Sequence, residues 1–166
     1  MDGIRLIIDV DGVLPGDMLA RLADGTADTL PLTTNIGSVL ENGILERLQT
    51  TKTAPDGTPW APNRAGTSIL VDTGNLLGTV GFIAAPSEVE VGASAPYAHV
   101  HQEGAVIKPK SKSVLRFMVG RWAVFAREVT IPARPFVGVS AEDETEIERV
   151  TLDWLSDLVS GLPGGR

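Results

Sequence analysis

The chain has 166 residues, a formal net charge of −7, 43% hydrophobic and 21% charged residues, which fits one ordinary globular domain and argues against a disordered or fibrous chain. It contains no cysteine, which excludes disulfides, thiolate catalysis and cysteine-ligated metal centres built from its own residues. No signal-peptide pattern opens the sequence and no run of about 18 apolar residues occurs, so we expect a protein without a membrane span that acts in a cytoplasm or in something assembled there.

The N-terminal part of the sequence predicts one strand and two helices. Residues Ile4 to Val10 form a short apolar run followed by a turn, which is typical of a buried strand. Residues Pro15 to Ala23 indicate a short helix. From Pro31 to Leu48, apolar residues recur at intervals of three and four, which predicts a long amphipathic helix that packs on the core.

Residues 51–68 form a long segment without periodicity, with three Pro and two Gly. A loop of this length inside a compact domain is usually functional or disordered. Its one large apolar residue is Trp60, which predicts an extended arm that docks Trp60 on a neighbouring molecule. The alternative, in which Trp60 packs on the core of its own chain, stays open.

The remaining segments predict short strands followed by a helix. A helical turn is expected at Leu70–Leu77, paired strands at Thr79–Ala84 and Glu88–Ala93, a short helix at Pro96–Gly104, and a hairpin of Val114–Val119 with Trp122–Val129 around a type II′ turn at Gly120-Arg121. Ser140 and Asp143 have the spacing of a capping box, which predicts a C-terminal helix that ends before Gly161.

Together these elements predict a single α+β domain spanning residues 1–166. An antiparallel sheet of four or five strands is packed by the long helix of the N-terminal half and by the C-terminal helix. The arm at 51–68, a basic loop at 105–113 and a flexible tail at 161–166 complete the predicted organisation.

Charge is distributed unevenly along the chain. Between Ala105 and Arg134 there are seven basic residues and one acidic residue, a local charge of +6, so the remainder carries −13. This segregation suits head-to-tail association, in which a basic face of one copy meets an acidic face of the next. A solvated basic loop and contact with DNA are the two alternatives.

Two groups of residues carry possible chemistry. Asp9-x-Asp11-Gly12 after an apolar strand resembles the first motif of haloacid-dehalogenase-type phosphatases, in which the first Asp is the nucleophile and the second the acid/base beside Mg²⁺. The rest of that pattern is missing, so a Mg²⁺-dependent phosphatase is the alternative function. His99-x-His101-x-Glu103 would share one face of a strand and could hold a metal, but the predicted helix splays the two histidines about 200° apart. We therefore expect no enzyme activity, no metal and no cofactor.

Four phrases, in this order, resemble the phage virion morphogenesis family, the tail-completion proteins of Mu- and P2-like phages. They are Pro55-Asp56-Gly57-x-Pro59-Trp60, then Ile69-Leu70-Val71-Asp72-Thr73-Gly74-x-Leu76, then Val91-Gly92 with Tyr97-Ala98-x-x-His101-Gln102-x-Gly104, and Ile131-Pro132-Ala133-Arg134-Pro135-Phe136. They span about half of the chain. One departure is Glu103, where an apolar residue is common in the family.

The resemblance implies a structural virion protein of the head–tail neck, assembled in the host cytoplasm. It would form a hexameric ring and contact the connector, the tail-tube proteins and, non-specifically, the DNA in the channel. Whether it terminates the tail or joins the tail to the head stays open. The candidate interface residues are Trp60, Tyr97, His101, Gln102, Lys108, Lys110, Lys112, Arg134 and Phe136. For Arg134, flanking prolines would hold the guanidinium either for a carboxylate of a neighbour or for an internal salt bridge.

Overall fold

A long helix lies across a small antiparallel sheet in the computed structural model, which describes residues 4–9, 28–63, 66–71, 73–111, 113–119 and 121–160. The helices are α1 (Leu30–Glu46), α2 (Ala98–Glu103) and α3 (Ala141–Ser160), and the strands are β1 (Ile4–Asp9), β2 (Val80–Ala85), β3 (Glu88–Ala93), β4 (Ala105–Ile107), β5 (Leu115–Val119), β6 (Trp122–Ala126) and β7 (Val129–Ile131). The predicted single α+β domain with antiparallel strands is confirmed.

Helix α1 is the predicted amphipathic helix, and it begins one residue before Pro31, which sits in the first turn where it removes no helical hydrogen bond. Its buried stripe starts at Leu32 and continues at four-residue steps through Leu48 in the π-helical turn Arg47–Thr51 that follows the helix. Lys52 then adopts a left-handed conformation with φ 57° and closes this turn, as its N–H donates to the Arg47 carbonyl.

The three-stranded sheet has the order β1-β3-β2, so β3 is central. Val89, Val91 and Ala93 of β3 are buried, and α1 packs against β2 and β3. A side chain at Gly37 would overlap the Phe82 ring, so this glycine sets the close approach of α1 to β2. The burial of alternate residues in β3 confirms the predicted half-buried strand.

The other four strands form two separate antiparallel ladders, β4 with β7 and β5 with β6. The predicted sheet of four or five strands is therefore divided into three units. The β5–β6 hairpin has the predicted two-residue connection, because Val119 pairs with Trp122. Strand β7 is only three residues long and pairs with β4 rather than continuing the hairpin, since the chain bends between Ala126 and Val129.

Helix α3 starts with the predicted capping box. The Ser140 N–H donates to Asp143 Oδ2 at 2.9 Å, and the Asp143 N–H donates to Ser140 Oγ at 3.2 Å. The helix packs against α1. The helical turn expected at Leu70–Leu77 lies further along the chain, where the Gly78 N–H donates to the Gly74 carbonyl before a 3-10 turn at Leu77–Thr79.

Several expectations lie outside the described residues: the helix at 15–23, the tail at 161–166, and Gly120 of the hairpin turn. None of the described helices has the length and apolar character that crossing a bilayer requires.

Candidate functional site

Three of the candidate interface residues are buried inside their own subunit. Trp60 is 6% exposed and its Nε1–H donates to the Pro135 carbonyl at 3.0 Å. Phe136 is fully buried, and Arg134 is 5% exposed. The structure therefore favours the alternative in which Trp60 packs on the core of its own chain, and it buries the candidate interface residues Arg134 and Phe136 as well. The loop after α1 folds back on the core because the indole has both an apolar pocket and a hydrogen-bond acceptor there.

Arg134 binds backbone carbonyls and not a carboxylate. Its Nε and Nη2 donate to the Ala61 carbonyl at 3.0 and 2.9 Å, and Nη2 also reaches the Pro62 carbonyl at 3.5 Å. No carboxylate among the described residues pairs with it, so the internal salt bridge is not formed there. Burial lowers the pKa of Arg134 from its ordinary value. Together with Trp60, Arg134 fixes the loop to the segment that precedes α3.

Gln102 holds the same segment from the other side. Its Nε2 donates to the Val137 carbonyl at 2.9 Å, while its Oε1 accepts from the N–H groups of Phe136 and Val137 at 3.0 and 3.1 Å. All of these contacts are internal. The structure thus brings Trp60, Gln102, Arg134 and Phe136 together inside the subunit. There they join the loop after α1 and helix α2 to the segment before α3, and we name this arrangement the junction.

A buried ion pair that sequence reasoning missed stabilises the far end of this segment. Arg47 Nη1 and Asp143 Oδ2 are 2.8 Å apart, and both side chains are 6% exposed. The same guanidinium donates to the Phe136 and Gly138 carbonyls at 3.1 and 2.9 Å. The signal in the sequence was a charged residue, Arg47, three positions after Ile44 on the apolar stripe of α1. A buried guanidinium needs a carboxylate and further hydrogen-bond acceptors of this kind, because a buried charge without partners is costly.

Tyr97, the N-cap residue of α2, and His101, one turn further along the helix, lie side by side. Their rings are 5.9 Å apart in an edge-to-face arrangement, and Tyr97 is 41% exposed. His101 Nδ1 is buried and has no hydrogen-bond partner among the described residues. Burial, and to a lesser extent the positive charge of Arg134, lowers the pKa of His101. The neutral form of His101 is therefore favoured in the folded protein, and His99, two residues before it, is exposed.

An open groove of about 1020 Å³ begins at this pair of rings. It is lined by the loop that follows Trp60 and by residues of strands β5 and β7. The lining includes Tyr97, His101, Phe117–Val119, Val129–Ile131 and Arg134.

The β5–β6 hairpin presents large apolar side chains to solvent. Met118, Trp122 and Phe125 are 59%, 68% and 63% exposed. Exposed arginines surround them, and the guanidinium of Arg121 lies 5.5 Å above the Trp122 ring. We name this set the hairpin surface: Arg116, Met118 and Phe125 on one face of the hairpin, Arg121 and Trp122 at its tip, and Arg127 just after β6. Apolar and aromatic side chains framed by arginine are the composition of protein interfaces. The sequence reasoning predicted the hairpin but overlooked its exposed aromatics.

The basic loop lies next to this hairpin in the chain. Lys108 and Lys110 are exposed, and Lys108 Nζ is 3.6 Å from a Glu128 carboxylate oxygen. An exposed pair at this distance adds little stability. Lys112 lies outside the described residues.

Helix α3 carries the opposite charge on its outer side. Arg149 pairs with Glu146 and Asp153 at 2.6 Å. Four other exposed acids of the helix, Glu142, Glu144, Glu148 and Asp157, have no ion-pair partner among the described residues. Glu144 and Glu148 are one helical turn apart on one side of the helix, and we name this pair the acidic face. Leu152, on the same helix, is 65% exposed. Neither hairpin strand packs extensively against α3, so the acidic face and the hairpin surface are separate.

The residues considered for catalysis and metal binding do not form a described site. Asp11 lies outside the described residues, and only the backbone of Asp9 is described, in β1. Within the described ranges, no three or more His, Asp or Glu side chains are grouped closely enough to hold a metal ion. The predicted short helix α2 separates His99 from His101.

Comparison with known proteins finds a matching family and a similar protein. A family model described as the phage virion morphogenesis family matches residues 15–156. The chain is 32% identical over 144 residues to a protein of Haemophilus influenzae named "Mu-like prophage FluMu G protein 2", covering 85% of this chain and 88% of that protein. No solved structure matches the chain significantly.

Proposed function

Because the chain belongs to the phage virion morphogenesis family and so has a structural role in the phage virion, we propose that it acts at the head–tail neck, where copies of it associate into a ring that completes the tail or joins it to the head. It acts by assembly and not by catalysis. It is incorporated into the virion after assembly in the host cytoplasm, and it contacts connector and tail-tube proteins.

The observation that carries this proposal is the pair of complementary, separate surfaces on one subunit. The hairpin surface is basic and aromatic, whereas the acidic face of α3 has two carboxylates without an ion-pair partner among the described residues, on the side of the helix that carries the exposed Leu152. Since the two surfaces do not pack on each other within one subunit, each is available to a second copy. Contact between two different surfaces is heterologous, and heterologous contacts close into rings when the rotation between copies permits.

The expected energetics follow from the side chains involved. Trp122 and Phe125 provide apolar anchors that lose solvent on association, and such aromatic residues dominate binding energy at interfaces. The arginines around them select an acidic partner and speed its approach. We therefore expect the ring to weaken as the salt concentration rises, because the charges at the rim are screened.

The test uses two charge-reversed variants of the full chain. One carries Arg116→Glu and Arg127→Glu on the hairpin surface, and the other carries Glu144→Arg and Glu148→Arg on the acidic face. Each variant alone should remain monomeric in analytical ultracentrifugation. Mixed in equal amounts, they should form rings, because the reversed hairpin of one variant then faces the reversed helix of the other.

The matched control is Glu46→Arg, a charge reversal at an exposed acid of α1 outside both surfaces, which should leave the ring intact. The proposal is overturned if the native protein is monomeric at every concentration. It is also overturned if each charge-reversed variant still forms rings alone, or if the mixture stays monomeric while each variant keeps the native melting temperature.

A further inference from the structure

The groove is lined by two strands that each have an unpaired edge. Within the described sheet topology, β5 pairs only with β6 and β7 pairs only with β4. Three consecutive residues of each strand, Phe117–Val119 and Val129–Ile131, line the groove. Consecutive side chains of a strand point to opposite faces, so three in a row bordering one groove indicate that the edge of the strand faces it.

These edges leave backbone groups available for pairing. Outside their own ladders, neither stretch makes a backbone hydrogen bond to another described residue. An edge with unpaired N–H and C=O groups is a template for a strand from another chain. Each of these two ladders therefore has a strand edge at the groove that an added strand can extend.

The groove also has a charge preference. Arg134 lines it, and the Nη1 of its guanidinium makes no hydrogen bond to a described residue. His101 also lines the groove, and its Nδ1, which is buried, has no hydrogen-bond partner among the described residues. The surrounding stretch from Ala105 to Arg134 is strongly basic. A carboxylate on the occupant would complement this cation and accept a hydrogen bond from Nη1 of Arg134.

We propose that the groove receives an extended segment of another virion protein, which adds as a strand between β5 and β7 and places a carboxylate beside Arg134 and His101. This mode of recognition draws affinity from main-chain hydrogen bonds and specificity from alternate side chains. The site of this inference is the groove, whereas ring formation is proposed to use the hairpin surface and the acidic face. The inference rests on the proposed function only in naming a virion protein as the partner. We do not infer that a folded second copy is the occupant. In this chain the described strand that alternates acidic and apolar residues is β3, and β3 is already paired on both sides as the central strand of its sheet.

The experiment begins with an array of overlapping peptides of about 12 residues, longer than a typical strand. The peptides cover the other virion proteins of the same phage and this chain itself, and the purified full-length protein is the probe. Binding peptides should alternate apolar residues and contain a carboxylate. With the strongest one bound, hydrogen exchange of the amides in both Leu115–Val119 and Val129–Ile131 should slow about tenfold or more.

Two variants at one position test the charge preference. Thr130 lines the groove and is exposed, so substitution there should not disturb the core. Thr130→Asp should weaken binding of the acidic peptide about five- to tenfold by like-charge repulsion, whereas Thr130→Lys should maintain or strengthen it. Both variants should keep the native melting temperature and still form rings, which separates this proposal from the assembly proposal.

Four results would overturn the inference: no virion peptide binds, the bound peptide protects neither strand edge, the Asp and Lys variants bind it equally well, or the strongest peptides come from this chain. The last result would assign the groove to a second copy.

Discussion

Replacing Trp60 by Ala tests whether the loop after α1 belongs to the core of its own subunit. The indole is 6% exposed and donates a hydrogen bond to the Pro135 carbonyl. Truncating a buried Trp to Ala costs about 3–5 kcal/mol in the free energy of unfolding. This range includes the cost of leaving the Pro135 carbonyl without its hydrogen-bond donor. Since a whole domain is stable by about 5–15 kcal/mol, this one substitution removes a large part of the total.

The assay is thermal and urea unfolding of the purified variant. For a chain of this length each kcal/mol lowers the melting temperature by about 2–4 °C, so the expected drop is about 6–20 °C. Trp60→Phe, which keeps an aromatic ring but has a smaller ring than the indole and loses the N–H donor, should fall between the Ala variant and the native protein.

Trp122→Ala is the matched control, because it makes the same substitution at a side chain that is 68% exposed. It should change stability by no more than about 0.5 kcal/mol while weakening association of the subunits. A native melting temperature for Trp60→Ala, with a large loss for Trp122→Ala, would refute the assignment of the two tryptophans.

Three further predictions concern the junction and the groove. Asp143→Ala leaves the buried Arg47 guanidinium without its carboxylate, so urea unfolding should show a loss of about 3–5 kcal/mol. Gly43→Ala, despite the better helix propensity of Ala, should destabilise by about 1–3 kcal/mol in the same assay, because its methyl group would overlap the Asp143 carboxylate. The pKa of folded His101 is lowered by burial and by Arg134, so the neutral form is favoured in the folded state. Its contribution to stability should be complete above about pH 6.5 and decline as the pH falls below that value, so the melting temperature of the native protein should fall more steeply on acidification than that of His101→Gln.

Each of these predictions has its own control. Glu146→Gln removes a carboxylate from an exposed pair with Arg149 and should cost at most about 1 kcal/mol. Gly81→Ala adds a methyl group that meets nothing within 4 Å, so it should not destabilise β2 as Gly43→Ala destabilises α1. Equal losses in either comparison, or parallel pH curves for the native protein and the His101 variant, would contradict the contacts described.

The elements with a local signal could be predicted from the sequence. The apolar stripe of α1 predicts a helix because its period matches 3.6 residues, and the spacing of Ser140 and Asp143 predicts the capping box that starts α3. The two-residue connection of β5 and β6 also follows from neighbouring residues. These signals act within a few positions of the chain, so no tertiary information is needed to interpret them.

The residues whose role depends on distant contacts could not be placed. Trp60 sits in a segment without periodicity, and its acceptor at Pro135 is 75 positions away. Arg134 binds carbonyls of that same segment, a partner that a search for complementary charges does not find. The division of the strands into three units likewise depends on tertiary packing, since β4 and β7 are too short to specify their partners.

Electron microscopy of lysates from a phage with a nonsense codon in this gene tests the role in the virion most directly, with a complementing copy as control. Our account predicts that heads and tails accumulate without joining, or that tails have abnormal length, and that the native gene restores particles. Abnormally long tails would indicate a terminator, whereas unjoined tails of normal length would indicate completion or joining. Complete particles in normal numbers without the protein would contradict the account.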